Sequence, residues 1–431
     1  MTYKRKTGLG LWRLGVWLVA SLSALSLAHG AYAAPEGPAL RLPGQLPASR
    51  SDEANLWAVM EAAEQAAKGS PDRIMDPNFN AYVKTLTCRL APEYCGELRV
   101  YIMQRPSFNA SAAANGYIEL WSGLLLRADS EDALGFVLGH EITHYAQNHA
   151  IETQRAAKLR SNLKFALSLA VNWTGQAVAA NASTVQAAND TVHAATAINE
   201  LLYLGAIAAY LQYSRNNETE ADQAGLERAV RAGLDAKAAA RIWRDLIAEN
   251  QASDFPTRRR QSIGSSIFST HPINAARMLA LSQGAQGTAE ASDAQTQQRR
   301  RAYRQQIRPF LSTWLRDDLG RRDYGQTLLV IERLSELGED MGVLNFYRGE
   351  ALRQRRANGD LAKARAAYQA ATLFADAPSQ AWRNLGDLAL KDGETGTAQS
   401  AYLTYLDRAP LAQDRWIITE AIKALNITTG R

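Results

Sequence analysis

The sequence predicts a mostly α-helical protein with a small β-sheet, followed by an all-α region built from tetratricopeptide-like helical repeats. Two short β-branched and aromatic stretches lie among helix-forming segments before residue 150, and from about residue 300 a helical pattern repeats. A chain of 431 residues is too long for one ordinary core, so we expect two or three domains. The composition, 46% apolar and 21% charged, is that of a globular protein.

Local patterns place the individual elements. Ser51 and Asp52 precede an apolar periodicity that predicts a capped helix. An Asn-Gly pair at Asn115 and Gly116 precedes an alternating stretch that predicts a strand. The expected helices cover 51–68, 77–90, 130–149, most of 150–213 and 214–233, and the expected strands cover 98–104 and 115–123.

The first 33 residues have the order of a secretory signal peptide. Four basic residues (Lys4, Arg5, Lys6 and Arg13) precede an apolar run from Leu14 to Ala28, and a small-x-small motif follows at Ala31–Ala33. An uncleaved N-terminal anchor is the alternative. Removal of this segment lowers the formal net charge from +5 to +1, so the mature chain gives a nucleic-acid partner no electrostatic support. We expect a periplasmic protein with at most peripheral membrane contact.

The two cysteines agree with an oxidising compartment. Cys88 and Cys95 flank a short segment that contains the turn-favouring Pro92. In a secreted protein this arrangement predicts a disulfide between Cys88 and Cys95.

The C-terminal part carries the spacing of a tetratricopeptide unit. Trp382, Leu385, Gly386, Ala398, Tyr402 and Pro410 occupy the positions of one unit, and Ala364 and Tyr368 occupy equivalent places 34 residues upstream. Such units need neighbours, so a degenerate helical pair is expected at 304–338. A plain helical bundle is the alternative. The expected division is a signal peptide at 1–33, a first domain at 34–280, a small polar linker at 281–303 and the repeat region at 304–431.

A metal-binding pattern lies in "HEITH". His140 and His144 share one face of the expected helix, so both rings can reach one metal ion, and Glu141 points to the side. The alternative is that three polar residues share one helix by chance and bind no metal. The mature chain has only five histidines, and two of them fill this pattern. His149 at the helix end is expected to be a packing residue, and His193 has no motif around it.

A third ligand is expected from a later helix. "SRNNETEAD" places Glu218 and Asp222 four residues apart on one helical face. Together, "HEITH" and "SRNNETEADQAG" resemble the gluzincin metallopeptidases of the CAAX-prenyl-protease and HtpX type. The resemblance implies a zincin-like peptidase domain with one Zn²⁺ per chain, held by His140, His144 and Glu218. It further implies that Glu141 is the catalytic base and that Asp222 orients a ligand histidine.

Two other segments are similar to this family. "NGYIELWSG" resembles the family's edge strand, on which an extended substrate pairs; this implies a substrate contact at Asn115, Gly116, Tyr117 and Ile118. "FSTHPINAARM" resembles the Thr-His-Pro segment of soluble periplasmic members, in which the histidine can reach the zinc. His271 is then either a fourth ligand that keeps the site latent or a donor to the oxyanion; an ordinary loop histidine is the third interpretation. The stretch between the two motifs, about 70 residues, is longer than in the family, so any lid or plug there differs.

The resemblance implies a secreted zinc endopeptidase that acts on misfolded or stalled outer-membrane proteins. Its partners would be unfolded or misassembled proteins and, through the repeats, the outer-membrane assembly machinery. The alternative is a periplasmic chaperone or scaffold for outer-membrane assembly in which the peptidase site is latent.

Overall fold

The computed structural model describes residues 40–158, 213–261, 271, 275–288 and 291–429. The expected signal peptide at 1–33 and most of the expected helical stretch at 150–213, including His193, lie outside the described residues. Among the described residues, no helix combines the length and the apolar character that a membrane crossing requires.

The first two helices begin as the sequence predicts. Helix α1 (Asp52–Gly69) is capped by Ser51, whose hydroxyl accepts a hydrogen bond from the backbone of Ala54 at 3.0 Å. Helix α2 (Pro77–Leu90) is capped in the same way by Asp76. A 3₁₀ turn (Pro92–Tyr94) follows, and the predicted disulfide between Cys88 and Cys95 closes across it.

The small sheet has three strands. They are β1 (Arg99–Met103), β2 (Ala110–Ala112) and β3 (Tyr117–Trp121). The order is β1-β3-β2, in which β3 pairs parallel with β1 and antiparallel with β2. The sheet therefore has β3 at its centre.

The position of β3 corrects one expectation. Tyr117 and Ile118 belong to this central strand, whose backbone pairs on both sides, and Asn115 and Gly116 form the turn that leads into it. The segment 115–118 is thus not an edge strand. Within the described sheet the outer strands are β1 and β2. The sequence does not predict β2, because its three small residues carry no clear alternation.

Seven described helices complete the first part of the chain. They are α3 (Ser122–Arg127), α4 (Glu131–Ala146), α5 (His149–Lys158), α6 (Arg215–Arg231), α7 (Lys237–Gln251), α8 (Pro256–Gln261) and α9 (Ala275–Gly284). Helix α4 is buried on all sides: every residue from Asp132 to Ala146 is inaccessible. Such a helix lies in the core rather than on the surface. It packs most extensively on α6.

The C-terminal part is a series of helices in which each helix contacts the next. They are α10 (Asp293–Gly320), α11 (Tyr324–Ser335), α12 (Met341–Arg355), α13 (Asp360–Ala371), α14 (Gln380–Lys391), α15 (Thr395–Arg408) and α16 (Arg415–Thr429). The region expected to be a linker, 281–303, holds the end of α9 and the beginning of α10, a helix capped by Ser292. The mostly α-helical class with a small sheet is confirmed.

Two of these helix pairs are packed in the same way. Gly349 in α12 lies against the ring of Tyr368 in α13, and Gly386 in α14 lies against the ring of Tyr402 in α15. In each pair the tyrosine hydroxyl donates to the acidic residue after the glycine: Tyr368 to Glu350 at 2.6 Å and Tyr402 to Asp387 at 2.8 Å. This equivalence supports the repeat that the sequence predicts, and we retain the tetratricopeptide assignment as a proposal.

Substitution of Gly386 tests this packing. A Cβ atom at Gly386 would lie 2.6 Å from two ring carbons of Tyr402, a rigid side chain that is itself buried. We therefore expect Gly386→Ala to lower the free energy of unfolding by about 1–3 kcal/mol in urea denaturation. The matched control is Gly396→Ala, because Gly396 faces open space in the next helix. Gly396→Ala should leave the free energy of unfolding unchanged or raise it by up to about 1 kcal/mol. Equal midpoints for the two variants would contradict the packing argument.

Candidate metal centre

Helix α4 carries the two histidines. Its N-terminus is fixed by Ser130, which accepts a hydrogen bond from the backbone of Ala133, and acidic side chains in the first turn complement the helix dipole. His140 and His144 lie one helical turn apart and are both buried. Their Nε2 atoms are 3.0 Å apart. The helix thus presents two imidazoles to one point in the interior.

Helix α6 brings the carboxylates to the same point. Ser214 and Asn217 form a capping box at its start, and Glu218 lies in its first turn. Gly139 of α4 and Gly225 of α6 face each other: a Cβ atom at Gly225 would lie 2.7 Å from the backbone nitrogen of His140. The absence of side chains there lets the two backbones touch.

The ligand set predicted from the sequence converges in space. Glu218 Oε1 lies 3.7 Å from His144 Nε2, and Glu218 Oε2 lies 3.6 Å from His140 Nε2. One donor atom from each of His140, His144, Glu218 and His271 falls within a group no more than 4.8 Å across. The structure therefore brings all four of these predicted site residues together.

The donor atoms fit a zinc ion. His140 Nδ1 lies 3.1 Å from Asp222 Oδ1, and His144 Nδ1 lies 2.9 Å from His149 Nδ1, so each ring has a neighbour that can accept a proton from Nδ1. With the ring protons on the Nδ1 atoms, both Nε2 atoms carry lone pairs that face each other, an arrangement that a cation between them would stabilise. Two nitrogen ligands of a tetrahedral zinc ion lie about 3.3 Å apart, close to the separation of these atoms.

Burial keeps the ligand His144 in its metal-binding form. Loss of solvent lowers its pKa well below the usual range for histidine, and the nearby imidazoles act in the same direction. A neutral imidazole is the form that binds zinc. The ring of Tyr213 is stacked on His144, with centroids 3.8 Å apart, and the sequence analysis gave no signal for this contact.

Arg277 balances the buried carboxylates. It forms a two-pronged ion pair with Asp222, at 2.6 and 2.8 Å, and its third nitrogen lies 2.6 Å from Glu218 Oε2. Burial would by itself raise the pKa of Asp222 and of Glu218, but the ion pairs and the histidines outweigh it and lower both pKa values. Asp222 Oδ1 lies 3.1 Å from His140 Nδ1, the position that the resemblance implies for a carboxylate that orients a ligand histidine. The role of Arg277 was not predicted.

One oxygen of the Glu141 carboxylate has no partner in the described part of the chain. Glu141 is buried, and the oxygen without a hydrogen-bond partner is Oε2. Its Oε1 atom lies 3.4 Å from His271 Nε2. An orphaned carboxylate oxygen beside a set of metal ligands is available to a water molecule that enters the site.

His271 lies next to the ligands. Its Nδ1 atom is 2.8 Å from Glu218 Oε1 and 3.4 Å from His140 Nε2. Burial would lower its pKa, but the carboxylates of Glu218 and Glu141 outweigh this effect and raise it. The third interpretation, an ordinary loop histidine, does not agree with this buried position among charged groups.

A recess opens beside Glu141. It is lined by residues of two helices, α4 and α7, by His271 and by the segment that leads into and begins β2: Phe108, Asn109, Ala110, Val137, His140, Glu141, Trp243 and His271. Aromatic and aliphatic groups form one wall, and the candidate ligands form the other. The described edge strand β2 is therefore the strand that borders the site, rather than the segment 115–118.

Comparison with known proteins agrees with this geometry. Residues 77–285 match the family model described as peptidase family M48. A protein from Vibrio cholerae that bears the name beta-barrel assembly-enhancing protease is 32% identical over 186 residues, which cover 42% of this chain and 36% of the relative. The Escherichia coli K12 protein of that name is 25% identical over 217 residues, 49% of this chain and 40% of the relative. The mitochondrial metalloendopeptidase OMA1 of Bos taurus is 27% identical over 150 residues, 34% of this chain and 26% of the relative.

The chain spans about two fifths of the length of the bacterial relatives. The family match itself extends over the sheet, over α2 to α4 and over α6 to α9, and it includes His140, His144, Glu218 and His271. The resemblance that the two sequence motifs predicted is confirmed: residues 77–285, which carry both motifs, match the model of peptidase family M48.

Proposed function

We propose that this protein is a zinc-dependent endopeptidase of the bacterial periplasm that cleaves misfolded or stalled outer-membrane proteins. One observation carries the proposal: His140, His144 and Glu218, from two helices far apart in sequence, direct donor atoms at one point beside the orphaned carboxylate oxygen of Glu141. Three protein ligands and an adjacent carboxylate are the composition of a hydrolytic zinc site.

The reaction divides between the metal and the protein side chains. Zinc, when bound by His140, His144 and Glu218, supplies a Lewis acid that polarises the scissile carbonyl and lowers the pKa of water. Glu141 takes a proton from the attacking water and later returns it to the leaving amine. Asp222, whose Oδ1 atom lies 3.1 Å from His140 Nδ1, holds the ring of that ligand in the orientation that this geometry requires.

The edge of the sheet provides a place for an extended peptide. Ala110 of β2 lines the recess that also contains Glu141 and His140. A substrate that pairs with β2 by backbone hydrogen bonds would run past Glu141 with one side chain in the aromatic wall of the recess. Backbone pairing is independent of sequence, which suits a peptidase that cleaves unfolded proteins.

His271 is proposed to keep the site latent. Its Nδ1 atom lies among the ligand atoms, 2.8 Å from Glu218 Oε1, where it can act as a fourth ligand in place of water. In this proposal His271 must leave the ligand atoms before water can take its place. A substrate that displaces His271 on binding would therefore activate the site.

Support for the proposed compartment and for substrate recruitment comes from other parts of the chain. The disulfide between Cys88 and Cys95 suits the periplasm, where thiols are oxidised. Large apolar side chains near the end of the described chain are exposed, among them Leu411 at 94%, in the turn before α16, and Trp416 at 69%, in α16. Such groups are available to contact unfolded proteins or a partner in outer-membrane assembly. The printed names of the bacterial relatives agree with this substrate class.

Replacement of the base separates metal binding from catalysis. We expect Glu141→Gln to retain wild-type zinc content, because Glu141 is not a ligand, and to lower kcat/KM on an unfolded protein by at least about 100-fold. Zinc per chain is measured by atomic absorption, and cleavage by gel assay with and without a chelator. Glu218→Gln is the matched variant, since the same change at a ligand should remove most of the zinc.

Two results would contradict this assignment. Undiminished cleavage by Glu141→Gln would remove Glu141 as the base, and unchanged zinc content in Glu218→Gln would remove Glu218 from the ligand set. If Glu141→Gln lacks cleavage but still restores envelope assembly in cells that lack the protein, the scaffold function is the correct one.

Removal of His271 tests latency. If His271 is a fourth ligand, His271→Ala should raise the basal rate of cleavage of an unfolded substrate several-fold, because water gains access to the metal. The double variant His271→Ala/Glu141→Gln serves as the control and should be inactive, which assigns the added activity to this site. A fall in kcat with unchanged KM would show instead that His271 stabilises the oxyanion.

A further inference from the structure

We propose that His149 is a positioning residue that fixes the ring of His144 and links it to Glu220 at the protein surface. The proposal rests on the zinc-ligand role of His144 given above. His149 belongs to neither of the two metal-binding motifs, and spacing within one helix would place it away from the site.

The end of α4 brings His149 back to His144. In a continuous helix a residue five positions later lies about 140° round the axis. Here α4 ends at Ala146, Asn148 adopts a left-handed conformation with φ of 57°, and His149 begins α5. The turn is held by Arg41, whose guanidinium donates to Asn148 Oδ1 at 2.6 Å. The chain reversal puts the buried imidazole of His149 against His144.

The contact determines which nitrogen of each ring carries a proton. His144 Nε2 faces His140 and Glu218, so a metal takes that lone pair and the proton stays on Nδ1. This Nδ1–H group donates to His149 Nδ1 at 2.9 Å. His149 must then carry its own proton on Nε2, which faces Glu220 Oε2 at 3.4 Å. The result is one directed chain from the ligand to a surface carboxylate.

The two ligand histidines are therefore supported differently. His140 faces the buried carboxylate of Asp222, which is itself fixed by Arg277. His144 faces a neutral imidazole whose carboxylate partner is half exposed, at 50%. Since partners of ligand histidines typically change metal affinity by about 10- to 100-fold, loss of the His149 acceptor should weaken the metal site measurably.

A pair of nearly isosteric variants isolates the hydrogen bond from packing. In His149→Asn, the Oδ1 atom takes the place of Nδ1 and still accepts from His144; in His149→Leu, a side chain of the same branched shape accepts nothing. The zinc Kd of the full chain is measured by competition with a chromophoric chelator, and the visible spectrum of the Co²⁺ form reports the ligand geometry. We expect His149→Leu to raise the zinc Kd by about 10- to 100-fold and to change the spectrum, while His149→Asn stays close to wild type.

The surface end of the chain is tested separately. Glu220→Gln should raise the zinc Kd by less than about five-fold, because the pair is half exposed to solvent. Glu227→Gln, an exposed carboxylate on the same helix, is the control and should have no effect. Circular dichroism of each metal-free variant checks that the fold is retained.

The outcomes distinguish this inference from the proposed function. Equal zinc affinity in wild type and His149→Leu overturns the positioning role. Equal weakening in His149→Leu and His149→Asn also overturns it, since packing rather than the acceptor would then matter. A wild-type protein that binds no zinc overturns both proposals. One that binds zinc but cleaves no protein overturns only the peptidase function.

Discussion

The site depends on the direct contact between the backbones of α4 and α6. At Gly139 and Gly225 no side chain separates the helices, and even one methyl group on Gly225 would overlap the backbone of His140. Because α4 is buried on every side, it cannot move outward to relieve such a clash. The distance between the histidines and Glu218 is therefore fixed by main-chain contact, which is less adjustable than contact between side chains. A metal site gains from this rigidity, since its ligands must be held in place before the ion binds.

That contact places opposite charges where solvent cannot reach them. Glu218 and Asp222 are buried carboxylates, and Arg277 alone pairs with both at hydrogen-bond distance among the described cations. Loss of one member of a buried ion pair costs about 3–5 kcal/mol, because the remaining charge stays uncompensated. Arg277 also lies over the ring of Trp243, which lines the recess beside Glu141. The same guanidinium thus connects the proposed ligand Glu218, the carboxylate of Asp222 and the wall of the recess.

The sequence predicted those parts of the structure that depend on local spacing. His140 and His144 share a face because they are four residues apart in one helix, and α1 and α2 begin at capping residues that are visible in the sequence. The parts that depend on tertiary contact were missed. His149 contacts His144 only because the left-handed conformation of Asn148 interrupts the helix before it. A short strand of small residues such as Ala110–Ala112 is recognised only when its neighbouring strand is known. The edge assignment of 115–118 failed for this second reason.

The last helices are attached to the first part of the chain through a buried polar network as well as an apolar core. Arg127, at the end of α3, donates to Glu249 at 2.7 Å and to Asp318 of α10 at 2.8 Å, and all three side chains are inaccessible. Phe79 of α2 packs against Trp314 of α10 beside this network. Charged groups buried in this way bind only in one relative orientation, since any displacement leaves charges unpaired. Helix α3 follows directly on β3, the strand that pairs with β2. These contacts hold α10 and α3, and through α3 the sheet, in one relative orientation, and the proposed recruitment of substrate by the C-terminal helices would depend on it.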